Sequence, residues 1–344
     1  MKTKNLIASM LIILCGIMGI PVSGQEASVE PFLGMWALDL EYENQNAGWL
    51  EVRQEKGYLD AEMLWRWGSV FPIDFTFVME DELFLTRGRD VEKKMDGDGN
   101  PARTLHPINW FNVRMDGEDK ITGMFILPRV NGEGLVEMTR FTGKRIPPIG
   151  EAPKVKRAKY GDPIKLFNGK DLSGWELLEA GADNGWKAVD GVLVNDPVRV
   201  EGESRHYGNL RTIDTFEDFN LKLEVNIPKG SNSGVYLRGI YEIQVQDSYG
   251  KELDSHNMGG LYSRITPALA AEKPGGEWQT MDMTLYKRHL TVKLNGKTLI
   301  DNQPVKGITG GAMSSDEFSP GPIYLQGDHG QVRYKNIVLT PIIN

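Results

Sequence analysis

Short runs of alternating apolar and polar residues follow one another along most of the chain. Between residues 30 and 145 they include WLEVRQ, YLDAEMLWRW, ELFLTR and KITGMFIL, separated by turn-rich strings such as DGDGN and DGED. Alternation with a period of two is the pattern of a β-strand with one buried face. Closely spaced strands of this kind predict a small antiparallel barrel or sandwich, an N-terminal accessory β domain over residues 25–147.

The alternation stops over residues 148–162, PIGEAPKVKRAKYGD, where proline and charge are typical of a linker. It resumes in FNLKLEVNI, GVYLRGIYEIQVQD and TMDMTLYKRHLTVKLNGKTLI, and the pair Asn295-Gly296 predicts a type I′ hairpin turn. The number and spacing of these strands predict a two-sheet antiparallel sandwich of jelly-roll type over residues 163–344. The whole chain is therefore expected to be all-β.

The first residues have the pattern of a secretory signal peptide, which we assign to residues 1–24. Lys2 and Lys4 precede an apolar run, and small residues follow it up to Gly24. Cys15, the one cysteine of the sequence, lies inside this run after a bulky leucine, which argues against a lipid anchor. We expect a mature protein without disulfides or thiolate sites, located in the periplasm or secreted.

The net charge of the chain limits the classes of molecule that it is expected to bind. The formal net charge is −8, and removal of the two lysines of the signal peptide would make it more negative. An acidic chain of this kind disfavours nucleic acid as a partner. No second apolar run is long enough to cross a bilayer, so we do not expect an integral membrane protein after cleavage of the signal peptide.

The segment SGVYLRGIYEIQVQDSYG, residues 233–250, carries an unusual polar row. As one continuous strand it would have apolar residues on one face, and on the other, mostly polar face Tyr236, Arg238, Ile240, Glu242, Gln244 and Gln246. Solvated strand faces are usually rich in lysine, threonine and serine, and this row has none of them. The row therefore predicts a strand whose Glu242 side lines a concave binding site.

The histidines are further candidates for catalysis or metal binding. None of the five has a partner histidine at metal-ligand spacing, so a metal site would have to combine residues from distant strands. His329 lies between glycines in GDHGQ, on a turn that joins two apolar strands, and loops on rigid β scaffolds often carry functional groups. His206 and His256 also lie on predicted loops. The candidate ligands for a divalent metal ion are Glu242, His329 and His256.

The sequence does not support a glycosidase with paired carboxylates or an α/β-hydrolase. Glu242 and Asp247 are an acidic pair on one predicted strand, but five positions place them on opposite faces, so they cannot flank one glycosidic bond. No G-x-S-x-G elbow occurs. Trp278, after the flexible string KPGGE, is the candidate aromatic residue for stacking on a sugar at the rim of the site.

Several strings of the second half, taken together, resemble one family. They are LFNGKDLSGW, NLRTIDTFEDFNLKLEVNI, SNSGVYLRG, YEIQVQD, GEWQTMDMT and GPIYLQGDHGQVRYKNIVL. In this order, over about residues 163–342, they resemble the 3-keto-disaccharide hydrolase family, formerly a domain of unknown function. The resemblance implies a concanavalin A-like jelly-roll sandwich. Gly327 departs from the family pattern, in which LQ is more often followed directly by Asp or Asn and then His.

The resemblance also implies a sugar substrate with a ketone at C3. The ketone acidifies the C2 proton, a base removes it, and the resulting enolate expels the C1 substituent, with elimination or net hydrolysis as the outcome. This path needs a base, a cation or metal for the enolate, and a proton donor. Glu242, Arg238 and His329 supply these types of group. The candidate substrate-binding residues are Gln244, Gln246, Tyr236, Trp278 and Asp247.

Two other functions remain open from the sequence. Concanavalin A-like sandwiches often bind sugar without any chemistry, so a non-catalytic carbohydrate-binding protein is the main alternative. A hydrolase of ordinary glycans is the third reading, although no paired carboxylates are evident. Ionisable groups in the polar row favour an enzyme, a 3-keto-glycoside hydrolase or lyase.

Overall fold

The computed structural model describes residues 28–44, 46–90, 92–129, 135–198 and 205–344. The predicted signal peptide lies outside the described residues. Within these ranges the regular structure consists of strands and two short 3-10 turns, Glu30–Phe32 and Val155–Arg157. No helix in this part of the chain has the length and apolar character needed to span a membrane.

Eleven strands occupy the described residues before the predicted linker. They are β1 Gly34–Leu40, β2 Ala47–Glu55, β3 Tyr58–Trp65, β4 Phe71–Pro72, β5 Phe75–Met79, β6 Glu82–Gly88, β7 Glu92–Met95, β8 Pro101–Leu105, β9 Ile108–Met115, β10 Lys120–Pro128 and β11 Val136–Ile146. Nine of them form one antiparallel sheet in the order β4-β3-β2-β1-β11-β10-β9-β6-β5, and β7 pairs with β8. We term the nine-stranded sheet the first sheet.

The first sheet surrounds an apolar core of its own. Alternate positions of its strands point inward, as the period-two pattern predicts, so Leu38, Leu83 and Val113 are completely buried. Trp36 is buried in the same cluster, and its indole Nε1 donates a hydrogen bond to the Phe32 carbonyl at 2.9 Å. The core of the first sheet is therefore built from apolar side chains at alternate strand positions.

Thirteen further strands follow in the described chain from residue 164. They are β12 Ile164–Lys165, β13 Trp175–Leu177, β14 Trp186–Val189, β15 Val192–Asn195, β16 Leu210–Thr212, β17 Phe219–Asn226, β18 Asn232–Leu237, β19 Tyr241–Gln246, β20 Trp278–Tyr286, β21 His289–Leu294, β22 Lys297–Pro304, β23 Tyr324–Leu325 and β24 Val332–Pro341. One sheet has eight strands, β14-β15-β24-β17-β20-β21-β22 with β12 beside β24. The other has five, β13-β16-β23-β18-β19.

These two sheets enclose a common hydrophobic core. Val235, Leu237 and Ile243 project into it from the five-stranded sheet, while Leu221 and Val292 project from the eight-stranded sheet, and all five side chains are fully buried. This arrangement confirms the predicted all-β fold with a jelly-roll sandwich. The outward face of the five-stranded sheet carries the polar side chains.

The segment predicted as one strand around Arg238 is instead a hairpin. Arg238 and Gly239 both have positive φ angles, 56° and 68°, and the Ile240 N–H donates to the Leu237 carbonyl at 3.2 Å. Two consecutive positive φ values are the signature of a type I′ turn. The turn removes Arg238 from the strand face, so its predicted place in the polar row is wrong. It also makes Tyr236 and Glu242 cross-strand partners.

The first sheet packs directly against the sandwich. Trp49 is buried in the cluster that contains the sandwich core, together with Met35, Ala47, Leu64 and Ile146. The Arg264 guanidinium lies 4.1 Å from the Trp49 ring, and Gly307 lies so close that an added Cβ would meet Trp49 Nε1 at 2.4 Å. The two parts of the chain thus share a continuous core.

Replacement of Trp49 by alanine should lower the free energy of unfolding by about 3–5 kcal/mol, because it leaves a cavity in this shared core. Urea unfolding followed by circular dichroism should show one transition, shifted to lower urea. The control Tyr58→Ala removes a side chain that is 60% exposed and should change stability by less than about 0.5 kcal/mol. Two separate transitions, with the sandwich unaffected by Trp49→Ala, would contradict a continuous core.

Candidate functional site

A row of polar side chains crosses the five-stranded sheet on the face opposite its core. The strand register pairs Glu176 with Arg211, Arg211 with Tyr324, Tyr324 with Tyr236, and Tyr236 with Glu242. Cross-strand partners share a face, so these five side chains lie side by side. We term this row, with the residues beside it, the polar face.

A glycine sets the position of the Glu242 carboxyl on the polar face. Gly234 of β18 pairs with Gln244 of β19, diagonally beside Glu242. A Cβ at Gly234 would lie 2.4 Å from Glu242 Oε1 and 2.9 Å from its Cδ. Only a residue without a side chain leaves room for the carboxyl to lie over the backbone at this point.

The Tyr236 hydroxyl lies between two oxygen atoms, 2.8 Å from Glu242 Oε2 and 2.7 Å from the Gly310 carbonyl oxygen. A hydroxyl has one hydrogen to donate, and a carbonyl can only accept. If Tyr236 donates to Gly310, the short contact with Glu242 requires a hydrogen on the carboxyl. Both contacts are therefore satisfied together when Glu242 is protonated.

Burial acts on Glu242 in the same direction. The residue is 4% exposed, and loss of hydration raises the pKa of its carboxyl to about 8. Donation by the Tyr236 hydroxyl to the carboxylate, and the charge of His329, lower this pKa, while the charge of Asp328 raises it. Since desolvation outweighs the other effects, Glu242 is mostly protonated at neutral pH.

Two stacked phenol rings form the middle of the polar face. Tyr236 and Tyr324 have ring centroids 4.0 Å apart and planes 10° from parallel. Burial, followed by the nearby Glu242 charge, raises the pKa of both phenols well above its usual value. Both therefore remain neutral hydrogen-bond donors throughout the physiological pH range.

A rigid loop brings Asp328 and His329 to the polar face. His329 Nδ1 lies 2.6 Å from Asp328 Oδ1, and the imidazole side chain is 46% exposed. The buried Asn195 Nδ2 donates to both ends of the loop, to the Gly327 and Gly330 carbonyls, each at 2.9 Å. Asn195 thus fixes the loop from its buried side, while the imidazole of His329 remains accessible to solvent.

Gly327, the position that departs from the family pattern, has a packing role in this loop. An added Cβ would lie 2.5 Å from Trp186 Nε1 and 2.6 Å from the Gly208 carbonyl oxygen. The Gly327 N–H also donates to Asn209 Oδ1 at 2.8 Å. The extra glycine therefore lets the loop lie flat on the Trp186 indole.

Three of the predicted site residues lie away from Glu242. The Arg238 guanidinium donates from Nε and Nη2 to the Ser319 carbonyl, at 3.1 and 2.5 Å, beyond the hairpin turn. Trp278 begins β20 in the eight-stranded sheet, where the Lys335 ammonium lies 4.2 Å from its ring. Asp247 accepts a hydrogen bond from the Gly230 N–H at 2.8 Å, which joins the ends of β18 and β19.

The two predicted glutamines do lie on the face of Glu242, but both are engaged. Gln244 is 1% exposed, and its Oε1 accepts from the Val245 N–H at 2.9 Å. Gln246 is partly buried. With its amide oriented to suit its neighbours, it donates to the His256 carbonyl at 3.1 Å and accepts from Lys251 Nζ at 3.2 Å.

The predicted metal ligands do not form a coordination set. His256 Nε2 lies 2.9 Å from Ser69 Oγ of the first sheet, and His256 Nδ1 lies 3.6 Å from Asp254 Oδ1. Across the described ranges, no group of three His, Cys, Asp or Glu residues is placed to hold a metal ion. A divalent ion stays a prediction of the sequence.

Arg211, Tyr324 and Asp328 belong to the site but were not predicted. Arg211 Nη2 lies 2.5 Å from Glu176 Oε1, while its buried Nε has no hydrogen-bond partner in the described part of the chain. A local signal existed for Tyr324, because alternation along IYLQ places it on the face of Gln326. Only strand pairing brings Arg211 beside it.

Comparisons with known proteins relate the second half of the chain to one family. A family model described as a 3-keto-alpha-glucoside-1,2-lyase-like domain matches residues 162–340, more than half of the chain. A curated 3-keto-disaccharide hydrolase from Bacteroides thetaiotaomicron is 26% identical over 40% of this chain and 57% of its own length. The chain thus matches little more than half of that relative.

Two solved structures of candidate glycosyl hydrolases from Parabacteroides distasonis also resemble the chain. One is 29% identical with a TM-score of 0.44, and the match covers 58% of this chain and 93% of that one. The other is 21% identical with a TM-score of 0.43, and the match covers 53% of this chain and 94% of that one.

Glu242→Gln should stabilise the protein at neutral pH, because glutamine keeps the shape of the protonated carboxyl and cannot ionise. The folded-state pKa of about 8 exceeds the ordinary 4.5, so Glu242 lowers stability progressively as pH rises from 4.5 to 8. The gain at pH 7 should be on the order of 3 kcal/mol and should be nearly absent at pH 4.5.

Urea unfolding of wild type and variant at pH 4.5 and pH 7 measures this difference. Glu252→Gln, which changes an exposed carboxyl, is the control and should follow wild type at both pH values. The same pH dependence in Glu242→Gln and wild type would show that Glu242 is not protonated in the folded state.

Proposed function

Because the chain belongs to the 3-keto-alpha-glucoside-1,2-lyase-like family, we propose that it is an enzyme that cleaves 3-keto-glycosides by removal of the C2 proton. The observation that carries this proposal is the buried Glu242 carboxyl, whose pKa burial raises to about 8, on the same polar face as the Asp328–His329 pair. One group can deliver a proton while the other removes one. With the expected signal peptide, we place this activity in the periplasm or outside the cell.

His329 is the proposed base. If Nδ1 carries its hydrogen toward Asp328 Oδ1, 2.6 Å away, then Nε2 is the unprotonated, basic nitrogen of the neutral ring. A carboxylate that orients an imidazole in this way also stabilises the imidazolium formed after proton uptake. His329 Nε2 takes the C2 proton, and the C2–H electron pair becomes the C2=C3 bond of an enolate.

Glu242 is the proposed acid. When the enolate restores the C3 ketone, its electrons form the C1=C2 bond, and the C1–O bond breaks. The departing oxygen takes the Glu242 proton, which the carboxyl still holds at neutral pH because its pKa is raised to about 8. The products are a free alcohol and an unsaturated keto-sugar. Addition of water across C1=C2 would turn elimination into net hydrolysis.

Arg211 takes the role that the sequence gave to Arg238. Its buried Nε has no hydrogen-bond partner in the described residues, and it lies beside Tyr324 in the row that ends at Glu242. A fixed donor aimed at the position where negative charge develops stabilises the transition state. We assign Arg211, with the Tyr324 phenol, to the C3 oxygen of the enolate.

Substitution of either proton carrier should slow turnover by at least about 100-fold, the lower end for a positioned acid or base. Release of a chromogenic alcohol from its 3-keto-glucoside measures this rate for Glu242→Gln and His329→Ala. The Arg211→Ala variant should also release the alcohol more slowly than wild type. Arg238→Ala is the matched arginine control and should stay within a few-fold of wild type, because its guanidinium bonds Ser319 away from the row.

Wild-type release no faster than the spontaneous rate, together with binding of unoxidised glycans, would favour a carbohydrate-binding protein instead. Cleavage of unoxidised oligosaccharides would favour an ordinary glycan hydrolase. Addition of a chelator tests separately whether the activity needs a metal ion. Activity that chelation abolishes and a divalent ion restores would establish the metal that the sequence predicted.

The rate should fall as pH rises through about 8, because the proposed acid then loses its proton. A profile of kcat/KM against pH for a substrate with a poor alcohol leaving group measures this limb. An activated phenol leaving group needs less protonation, so its rate should be less sensitive to pH in this range. A rate that rises through pH 8 with both substrates would instead make Glu242 the base.

A further inference from the structure

Residues 66–70 form a loop of the first sheet that lies against the sandwich, and we term it the wall loop. At its start, the Gly311 N–H donates a hydrogen bond to the Arg66 carbonyl at 3.2 Å. At its end, the Val70 N–H donates to Ser263 Oγ at 2.7 Å. Since both ends are bonded to the sandwich, the wall loop is a fixed part of the surface there.

The middle of the wall loop is close to Glu242. An added Cβ at Gly310 would lie 2.7 Å from the Gly68 nitrogen and closer still to its carbonyl oxygen, so the two main chains touch. On its other side, the Gly310 carbonyl accepts from the Tyr236 hydroxyl at 2.7 Å, and that hydroxyl lies 2.8 Å from Glu242 Oε2. The segment around Gly310 therefore lies between the wall loop and the polar face.

The wall loop also follows the edge of the polar face. In the described part of the chain β19 is the outermost strand of the five-stranded sheet, with Glu242 near its start and Gln246 at its end. The Gln246 amide donates to the His256 carbonyl at 3.1 Å, and Ser69 Oγ of the wall loop lies 2.9 Å from His256 Nε2. The first sheet thus borders the polar face near both ends of β19.

Trp67 gives the wall loop a large exposed aromatic side chain. The residue is 57% exposed, although its surroundings hold it firmly. The Arg66 guanidinium carbon lies 4.1 Å from the Trp67 ring and 3.7 Å from the Tyr42 ring centroid, so the cation contacts both aromatic rings. Arg66 Nη2 also donates to the Asn44 carbonyl at 3.2 Å. The indole is therefore supported from within the first sheet while much of its surface remains open to a ligand.

The proposed chemistry sets the direction of the substrate along the polar face. Arg211 and Tyr324 are assigned to the C3 oxygen, and Glu242 is assigned to the departing oxygen on C1. The strand register runs from Arg211 through Tyr324 and Tyr236 to Glu242, that is, toward the outermost strand. C1 and C3 are the two ring neighbours of C2, so the C1 substituent extends away from C3. It therefore extends past Glu242, on the side where the wall loop lies.

We propose that Trp67 binds the leaving group of the substrate by stacking its indole on a ring of that group. This inference rests on the proposed function, from which it takes the direction of the substrate. One face of a sugar ring consists largely of C–H groups and packs on a flat aromatic ring. Trp67 thereby takes the role that the sequence gave to Trp278. The first sheet, which lies outside the matched residues 162–340, then contributes to the choice of leaving group.

Two substrates that differ only in the leaving group test this proposal. One is a 3-keto-glucoside of glucose, whose leaving group is a sugar ring, and the other is the methyl 3-keto-glucoside. The ratio of their kcat/KM values should fall about tenfold in Trp67→Ala, mainly through a higher KM for the substrate with the ring. Trp67→Phe keeps a flat ring and should retain most of the ratio. The different acidities of the two alcohols cancel when the ratio is compared between proteins.

Trp110→Ala is the matched control. Trp110 is 39% exposed on β9 of the first sheet, where it pairs with Thr86 and Ile126, and it has no part in the wall loop. Its substitution should leave the ratio at the wild-type value. Circular dichroism checks that each variant is folded. If Trp67→Ala does not fold, Trp67→Leu replaces it, because leucine keeps apolar bulk and lacks the flat ring.

An unchanged ratio in the folded variant would overturn the proposal. An equal loss of kcat/KM with both substrates would also overturn it, since that result indicates a general structural effect. Calorimetric binding of the unoxidised disaccharide separates this inference from the proposed function. If wild type cleaves neither 3-keto substrate, the proposed function fails. Disaccharide binding that is weakened about tenfold by Trp67→Ala and unaffected by Trp110→Ala would then still support stacking on Trp67, whereas absent or unchanged binding would overturn it.

Discussion

The position of one hydrogen atom, on the Tyr236 hydroxyl, connects the main features of this structure. The hydroxyl lies within hydrogen-bond distance of both Glu242 and the Gly310 carbonyl, and it can donate to only one of them. Burial raises the pKa of the Glu242 carboxyl to about 8, and donation by Tyr236 to Gly310 is compatible with a protonated carboxyl. The polar face, the segment that covers it and the first sheet all meet at this hydroxyl.

This site depends on three positions where the main chain lies very close to a neighbouring group. Gly234 leaves space for the Glu242 carboxyl, Gly327 for the Trp186 indole, and Gly310 for the backbone of Gly68. A single methyl group at any of the three would overlap atoms that hold the site together. The positions of the acid, the imidazole loop and the first sheet are thus each set by a missing side chain.

Glu242 also lowers the stability of the folded protein at neutral pH. A buried carboxyl with a pKa raised to about 8 makes the folded state less stable than a neutral residue of the same shape would. Groups that lower stability in this way are concentrated at functional sites, where a shifted pKa serves proton transfer. The raised pKa of Glu242 is therefore the physical basis of the proposal of an enzyme rather than a simple sugar-binding protein.

The sequence alone determined that the chain is built from strands, because alternation is a local property of the chain. It identified Val235 and Ile243 as inward-facing and Glu242 as a member of a polar face, since side chains two positions apart share a side. It could not show that a turn removes Arg238 or that Arg211 and Tyr324 flank Tyr236. Those placements depend on pairing and packing between residues distant in sequence, which no local period encodes. The contact of the first sheet with Gly310 was likewise decided by tertiary structure alone, because two glycines carry no pattern that predicts their meeting.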